Sequence, residues 1–310
     1  MKYALINGVP LDGTETMQPR PGLSILVNGD RIEAIVPAGT EGSDYERIDL
    51  AGGYVMPGLI NLHVHLPASG RPTVKQKDTK KIVRLMTSNA LLRAITFRVC
   101  AGYAKTELLS GVTTLRSVGG IQAVDSYLRD KILSGKAVGP RILAGNMAVS
   151  VPGGHMAGSL AYAMFDRSVT GASETEQYNG RIVMDGIIAC AKACLERGIP
   201  VGLGTDTGCP YITHYDMWRE VYYFHKLCNV SNAFALHTAT LGNARLVGLG
   251  AETGSIEPGK CADLIVTRAN PLEDLKALRH IDLVMGRGNL IRAPKVKKIE
   301  KAERELDKFL

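Results

Sequence analysis

A chain of 310 residues, 45% of them hydrophobic, is long enough to bury a full core as one large domain or two smaller ones. A net charge of +7 with only 5% aromatics, and no basic run interleaved with aromatics, excludes a nucleic-acid surface from the expectations. No apolar run is long enough to span a bilayer, and the start MKYALINGVPLDG lacks the apolar stretch and cleavage site of a secretory signal, so no membrane partner and a cytoplasmic setting are expected.

Up to about residue 57 the chain reads as short strands separated by turns. Ala4–Gly8, Ser24–Asp30 and Arg31–Val36 are β-rich, punctuated by Asn-Gly and Gly-Asp pairs. The run Tyr54-Val55-Met56-Pro57-Gly58-Leu59-Ile60-Asn61-Leu62-His63-Val64-His65 follows. In a strand, residues i and i+2 share a face, so His63 and His65 can converge at the strand's carboxyl end. Such a pair suits zinc ligands or two structural or surface histidines; the Pro57-Gly58 turn leading straight into the strand favours the first.

From about Thr79 to Ser110 the chain is rich in helix formers and apolar residues recur at helical spacing. A second strand at 112–118, a helix near 121–134 and a third strand at 140–145 come next. Glu174 to Arg197 reads as a helix closed by Gly198, and 199–206 as a strand ending in the Asp206 carboxylate. Ser231 to Leu246 is a further predicted helix, and strands return at 261–266 and 282–291. After Arg292 the signs of charge alternate through Glu300, Lys301, Glu303, Arg304, Glu305, Asp307 and Lys308, the pattern of a solvated helix. The six cysteines (Cys100, Cys190, Cys194, Cys209, Cys228, Cys261) form no CxxC pair and are read as reduced thiols.

This order implies an α/β chain. Residues 1–57 with 250–295 form a small composite β-sandwich, 58–249 a domain of parallel βα units, and 296–310 a charged helix or tail.

The segments VMPGLINLHVHL (55–66), GVTTLRSVGG (111–120), GPRILAGN (139–146), PGGHMAG (152–158), GIPVGLGTDTG (198–208), ATLGNARLVGL (239–249) and GSIEPGKCADLIV (254–266) together resemble the amidohydrolase superfamily of metal-dependent hydrolases. The likeness is to its prolidase-like and imidazolonepropionase-related branch. The resemblance implies a (β/α)8 barrel beside a small sandwich, and a binuclear zinc site. Its ligands would be the HxH pair, a carboxylated lysine, two further histidines and an aspartate of the eighth strand.

One departure limits the transfer. A (β/α)8 barrel takes about 250 residues, yet only about 143 separate His63 from Asp206. Strands matching the first, second, third and eighth are present; the junction lies within about 159–164. The lysine and middle histidines have no counterpart, so the expectation is a partial barrel with strand order 8-1-2-3. It would carry one zinc on His63, His65 and Asp206. By the resemblance Asp206 is also the general base. A partial barrel leaves raw sheet edges and an uncovered face, which points to a homo-oligomer.

His155, in the loop after the third strand, and Tyr211 and His214, just beyond Asp206, are the expected substrate contacts. His225 and His237 are assigned to packing or surface, and Arg116 to a buried structural pair. The expected activity is hydrolysis of amide-type C–N bonds in small molecules such as dipeptides or N-acyl amino acids. The alternative is an inactive, shortened relative serving as an oligomeric binding or structural protein.

Overall fold

The computed structural model describes residues 1–72, 79–146 and 173–310. Strands β1 (Lys2–Ile6), β2 (Val9–Pro10), β3 (Leu23–Asn28), β4 (Arg31–Pro37), β5 (Glu46–Asp49) and β6 (Tyr54–Pro57) lead to β7 (Leu59–Val64). Helices α1 (Thr79–Thr87) and α2 (Ala90–Leu109), strand β8 (Val112–Ser117), helix α3 (Val124–Leu133) and strand β9 (Arg141–Ala144) follow. Then come α4 (Glu174–Glu196), α5 (Met217–Cys228), α6 (Asn232–His237), α7 (Asn243–Leu246), β10 (Leu264–Thr267), β11 (Ile281–Gly286), β12 (Asn289–Arg292) and α8 (Glu300–Leu306).

The two ends of the chain meet in one sheet. The order β12-β11-β10-β6-β2 combines strands from both termini, and β6 runs antiparallel to β10 with Val55 opposite Val266. A second sheet, β4-β3-β1-β5, belongs to the N-terminal region alone. The Gly29-Asp30 turn closes the β3–β4 hairpin, with Asn28 opposite Arg31. Alternation along these strands sends Leu5, Ile25, Val27 and Ile48 from one sheet, and Val55, Leu264, Val266 and Met285 from the other, into a shared apolar cluster.

The third sheet is parallel, β7-β8-β9. Its helices α2 and α3 bury Cys100, Ala104, Leu108, Leu128 and Ile132 in the larger apolar cluster together with Leu115 and Ile142. On the other edge of β7 runs the segment 201–207, through Leu62 N–H to Leu203 C=O (3.1 Å) and His65 N–H to Thr207 C=O (2.8 Å). The segment is not a regular strand, however; its ladder pairing with β7 is a bridge between Val64 and Thr207. Gly202 and Gly204 weaken it as a strand.

Three expected helical stretches take a particular form. The stretch over 79–110 is two helices, because Asn89 adopts an extended backbone and caps α2 by accepting from Leu92 N–H at 2.9 Å. The helix expected over 231–246 starts where Ser231 caps Phe234 N–H, but a π-turn at Thr238–Gly242 divides it into α6 and α7. The charged C-terminal segment is not a solvated helix: Ala302, Glu303, Glu305 and Leu306 of α8 are buried. Arg219 on α5 reaches Asp216 (3.0 Å), Glu303 (3.2 Å) and Asp307 (2.6 Å), and Arg279 reaches Glu303 and Asp307 at 2.7 and 2.8 Å. Alternating signs hold here because one set of charges faces inward to those two arginines.

No described helix is long and apolar enough to cross a membrane. All six cysteines are free.

Candidate metal centre

The last turn of β7 and the bend after it carry His63 and His65, and the 201–207 segment brings Asp206 alongside them. His65 Nε2 lies 3.0 Å and His63 Nε2 3.3 Å from the same oxygen, Asp206 Oδ1. The three ligand atoms lie within 4.8 Å of one another, and no other such group occurs among the described residues. The imidazole rings stand 5.2 Å apart at 66°, edge to face.

Two local features permit this approach. A Cβ on Gly204 would sit 2.7 Å from the His63 backbone nitrogen, so only glycine lets the two segments close. Asp206 itself has a φ of 56°, in the left-handed region that aspartate tolerates better than most residues.

The distances alone would suit salt bridges, but the alignment does not. His65 Nε2 and Asp206 Oδ1 are buried and have no properly aligned hydrogen-bond partner. Buried polar atoms are normally satisfied, so a converging, unsatisfied pair calls for a further occupant. Two imidazole nitrogens and a carboxylate oxygen are a donor set that a divalent cation such as zinc accepts, with room left for water. The residues present therefore fit a metal. His65 also faces the Gly119 carbonyl, the type of neighbour that fixes the tautomer of a ligating imidazole.

Charge follows the same geometry. The Asp206 carboxylate raises the His65 imidazole above its ordinary range, against the opposing effect of burial. Burial alone would raise Asp206, but His63, His65 and Cys209 hold it well below the usual carboxylate range. The Cys209 thiol donates to Asp206 Oδ2 at 3.3 Å, and burial pushes that thiol up to about 12, so it stays protonated.

The other expected site residues fare differently. His155 lies outside the described residues. Tyr211 and His214 do not overhang the triad: Tyr211 is 1% exposed and packs on Ala302 and Leu306 of α8. His214 is buried, stacked on Tyr103 and held by Glu107 at 3.2 Å and the Ala68 carbonyl at 2.8 Å. The α8 and α2 contacts that bury them come from distant sequence, so position beside Asp206 misled. Arg116 is exposed rather than buried, and donates to the Leu62 carbonyl at 2.8 Å. His225 and His237 make backbone contacts away from the triad, with Val230 and Gly13. Asn61 and Cys209, which touch the triad's backbone or carboxylate, have no signal of their own in the sequence.

A family profile described as the amidohydrolase family matches residues 177–291. The imidazolonepropionase of Thermoplasma acidophilum is 22% identical over 366 aligned positions, covering 86% of this chain and 88% of that protein. A crystal structure assigned as a prolidase, from Bifidobacterium longum, superposes with a TM-score of 0.85 at 25% identity, covering 99% of this chain and 98% of that one. A Xaa-Pro dipeptidase with methionine in its active site superposes at 0.76, with 21% identity over 94% of this chain and 100% of that one. The α/β architecture and the sequence profile over residues 177–291 agree in likening the chain to the amidohydrolase family.

Proposed function

We propose that the chain is a metal-dependent hydrolase of amide-type C–N bonds in small molecules, with dipeptides and N-acyl amino acids as the substrate class. The convergence of three ligand atoms from His63, His65 and Asp206, of which His65 Nε2 and Asp206 Oδ1 are buried and unsatisfied, carries this reading. His63, His65 and Asp206 would hold one zinc. A bound zinc would supply a water of lowered pKa and polarise the scissile carbonyl. Asp206 is kept as a carboxylate, the form a general base needs to take a proton from water and return it to the leaving nitrogen. Cys209 holds Oδ2 of that carboxylate, which leaves Oδ1 directed at the histidines. The prolidase assignment and the dipeptidase among the similar structures support the substrate class.

On this reading 58–249 is a partial barrel holding strands equivalent to the first, second, third and eighth, and 1–57 with 250–295 is a composite β-sandwich; 296–310 is its docked C-terminal helix. The imidazolonepropionase alignment supports a shortened middle, since its 366 positions exceed the 310 residues of this chain. A barrel open on one side is covered by a second copy of the chain. Leu91, Ile95 and Val99, one exposed stripe along α2, and Tyr178, Ile182 and Ile187 on α4 support that association. Sedimentation as a monodisperse monomer would overturn it.

The shortened middle also favours a second reading, an inactive relative retained as an oligomeric binding or structural protein. Elemental analysis of the purified protein separates the two. About one zinc per chain, with dipeptide hydrolysis lost on chelation and restored by zinc, supports the enzyme. A folded chain that stays empty in added zinc supports the inactive relative. Two zincs per chain would contradict a single His₂Asp site.

A further inference from the structure

Asn61 lies one pleat below His63 on β7 and is fully buried. Its carboxamide touches both segments that carry the triad. A backbone N–H can only donate, so Asn61 Oδ1 is the atom facing His63 N–H (3.3 Å) and Thr205 N–H (3.1 Å). The amide nitrogen then faces Thr205 Oγ1 at 2.9 Å and Glu107 Oε2 at 3.4 Å. Thr205 Oγ1 in turn contacts Thr207 Oγ1, so the hydroxyls on both sides of Asp206 belong to one buried network.

The far end of this network is the buried pair of Glu107 and His214. His214 Nε2 meets the Ala68 carbonyl, which can only accept, and Nδ1 meets the Glu107 carboxylate. Asn61 is thus held on one side by Glu107 and on the other by the two ligand-bearing backbones.

We propose that Asn61 is a positioning residue for the metal centre, its carboxamide setting the spacing between His63 and Asp206. The inference rests on reading His63, His65 and Asp206 as metal ligands. The structure supplies its own control. Asn243 joins the same two segments further from the triad, donating to the Ile60 carbonyl (2.7 Å) and the Leu203 carbonyl (2.9 Å) and accepting from Leu203 N–H (2.9 Å). An equally buried asparagine there binds the strands together without touching a ligand residue.

The test titrates Zn²⁺, and Co²⁺ as a spectroscopic probe, into the full-length protein and its Asn61→Ala, Asn243→Ala and His63→Ala variants, each matched for folded fraction by circular dichroism. Asn61→Ala is expected to weaken zinc about 10–100-fold and to shift the visible Co²⁺ bands. Asn243→Ala is expected to lower the melting temperature while leaving affinity and bands as in the wild type. Should Asn61→Ala not fold, Asn61→Ser takes its place. Its shorter side chain gives up the contact to both amides and is expected to weaken zinc about tenfold; binding within about threefold of the wild type overturns the proposal.

Wild-type metal binding lost in His63→Ala but unchanged in Asn61→Ala overturns the role of Asn61 and leaves the triad standing. Equal weakening in both asparagine variants, with unmoved Co²⁺ bands, also overturns it, because a purely structural staple behaves that way. A wild type that binds no metal overturns the triad reading itself.

Discussion

Two clusters of titratable side chains, one buried around Arg219 and one half-buried around Asp206, are built on opposite principles. Around Arg219, every oxygen of Asp216, Glu303 and Asp307 meets a donor, from Arg219, Arg279 or Thr213. Trp218 stacks beneath both guanidiniums at 4.4 and 5.4 Å. Around Asp206, two imidazole nitrogens crowd one carboxylate oxygen without aligned hydrogen bonds. Charges that neutralise one another fasten elements together. Lone pairs that converge unsatisfied form a place for something else. The first cluster fastens α8 to α5; the second is the candidate site.

The largest expected effect tests the fastening. Arg219→Ala removes the guanidinium paired with buried Asp216, while Arg279 still meets Glu303 and Asp307, and should cost about 3–5 kcal/mol, a large part of a domain's stability. Denaturant unfolding measures it, and zinc affinity of the folded fraction should not change. If affinity falls with stability, the clusters are not independent and the contrast is wrong. His63→Ala should do the reverse. Zinc affinity should drop on the order of 100-fold or more, since changes outside the ligand set alone cost about 10–100-fold. Unfolding without metal should move little, and isothermal titration against unfolding curves separates the two quantities.

Protons sharpen the contrast next. Without metal, His65 is raised by Asp206, so its pairing stabilises the fold below the ordinary imidazole value and is lost as pH rises through the raised one. Asp206 is lowered, so its contribution is present above the usual carboxylate value and is lost as pH falls toward its depressed one. Zinc must displace the His65 proton, so its affinity should climb by up to about tenfold per pH unit until His65 is neutral. A pH-independent affinity would place the metal elsewhere. The smallest effect concerns Cys209. Replacing it with alanine frees Asp206 Oδ2 but removes no ligand, so zinc affinity should fall only a few-fold, by about 1 kcal/mol. A loss as large as that of His63→Ala would make the thiol itself a ligand.

Much of the candidate site was legible before any coordinates. His63 and His65 were readable because a strand's period of two puts them on one face, and the helix ending at Gly198 because glycine suits the left-handed residue that closes it. Asp206 could be singled out by its small neighbours and by family resemblance. Its approach to the histidines could not, since that depends on a pairing between segments far apart in sequence and on a glycine with no room for a side chain. The α8 charges show the complementary limit: alternating signs look the same on a solvated helix and on one docked against two arginines. Tyr211 and His214 were judged by their nearness to Asp206 along the chain, whereas α8 and α2 decided their surroundings. Local pattern determined which residue types lie on which element, because periodicity and capping act over a few residues. Only the tertiary structure decided which unsatisfied atoms converge, because burial and hydrogen-bond satisfaction are settled by segments the local sequence does not contain.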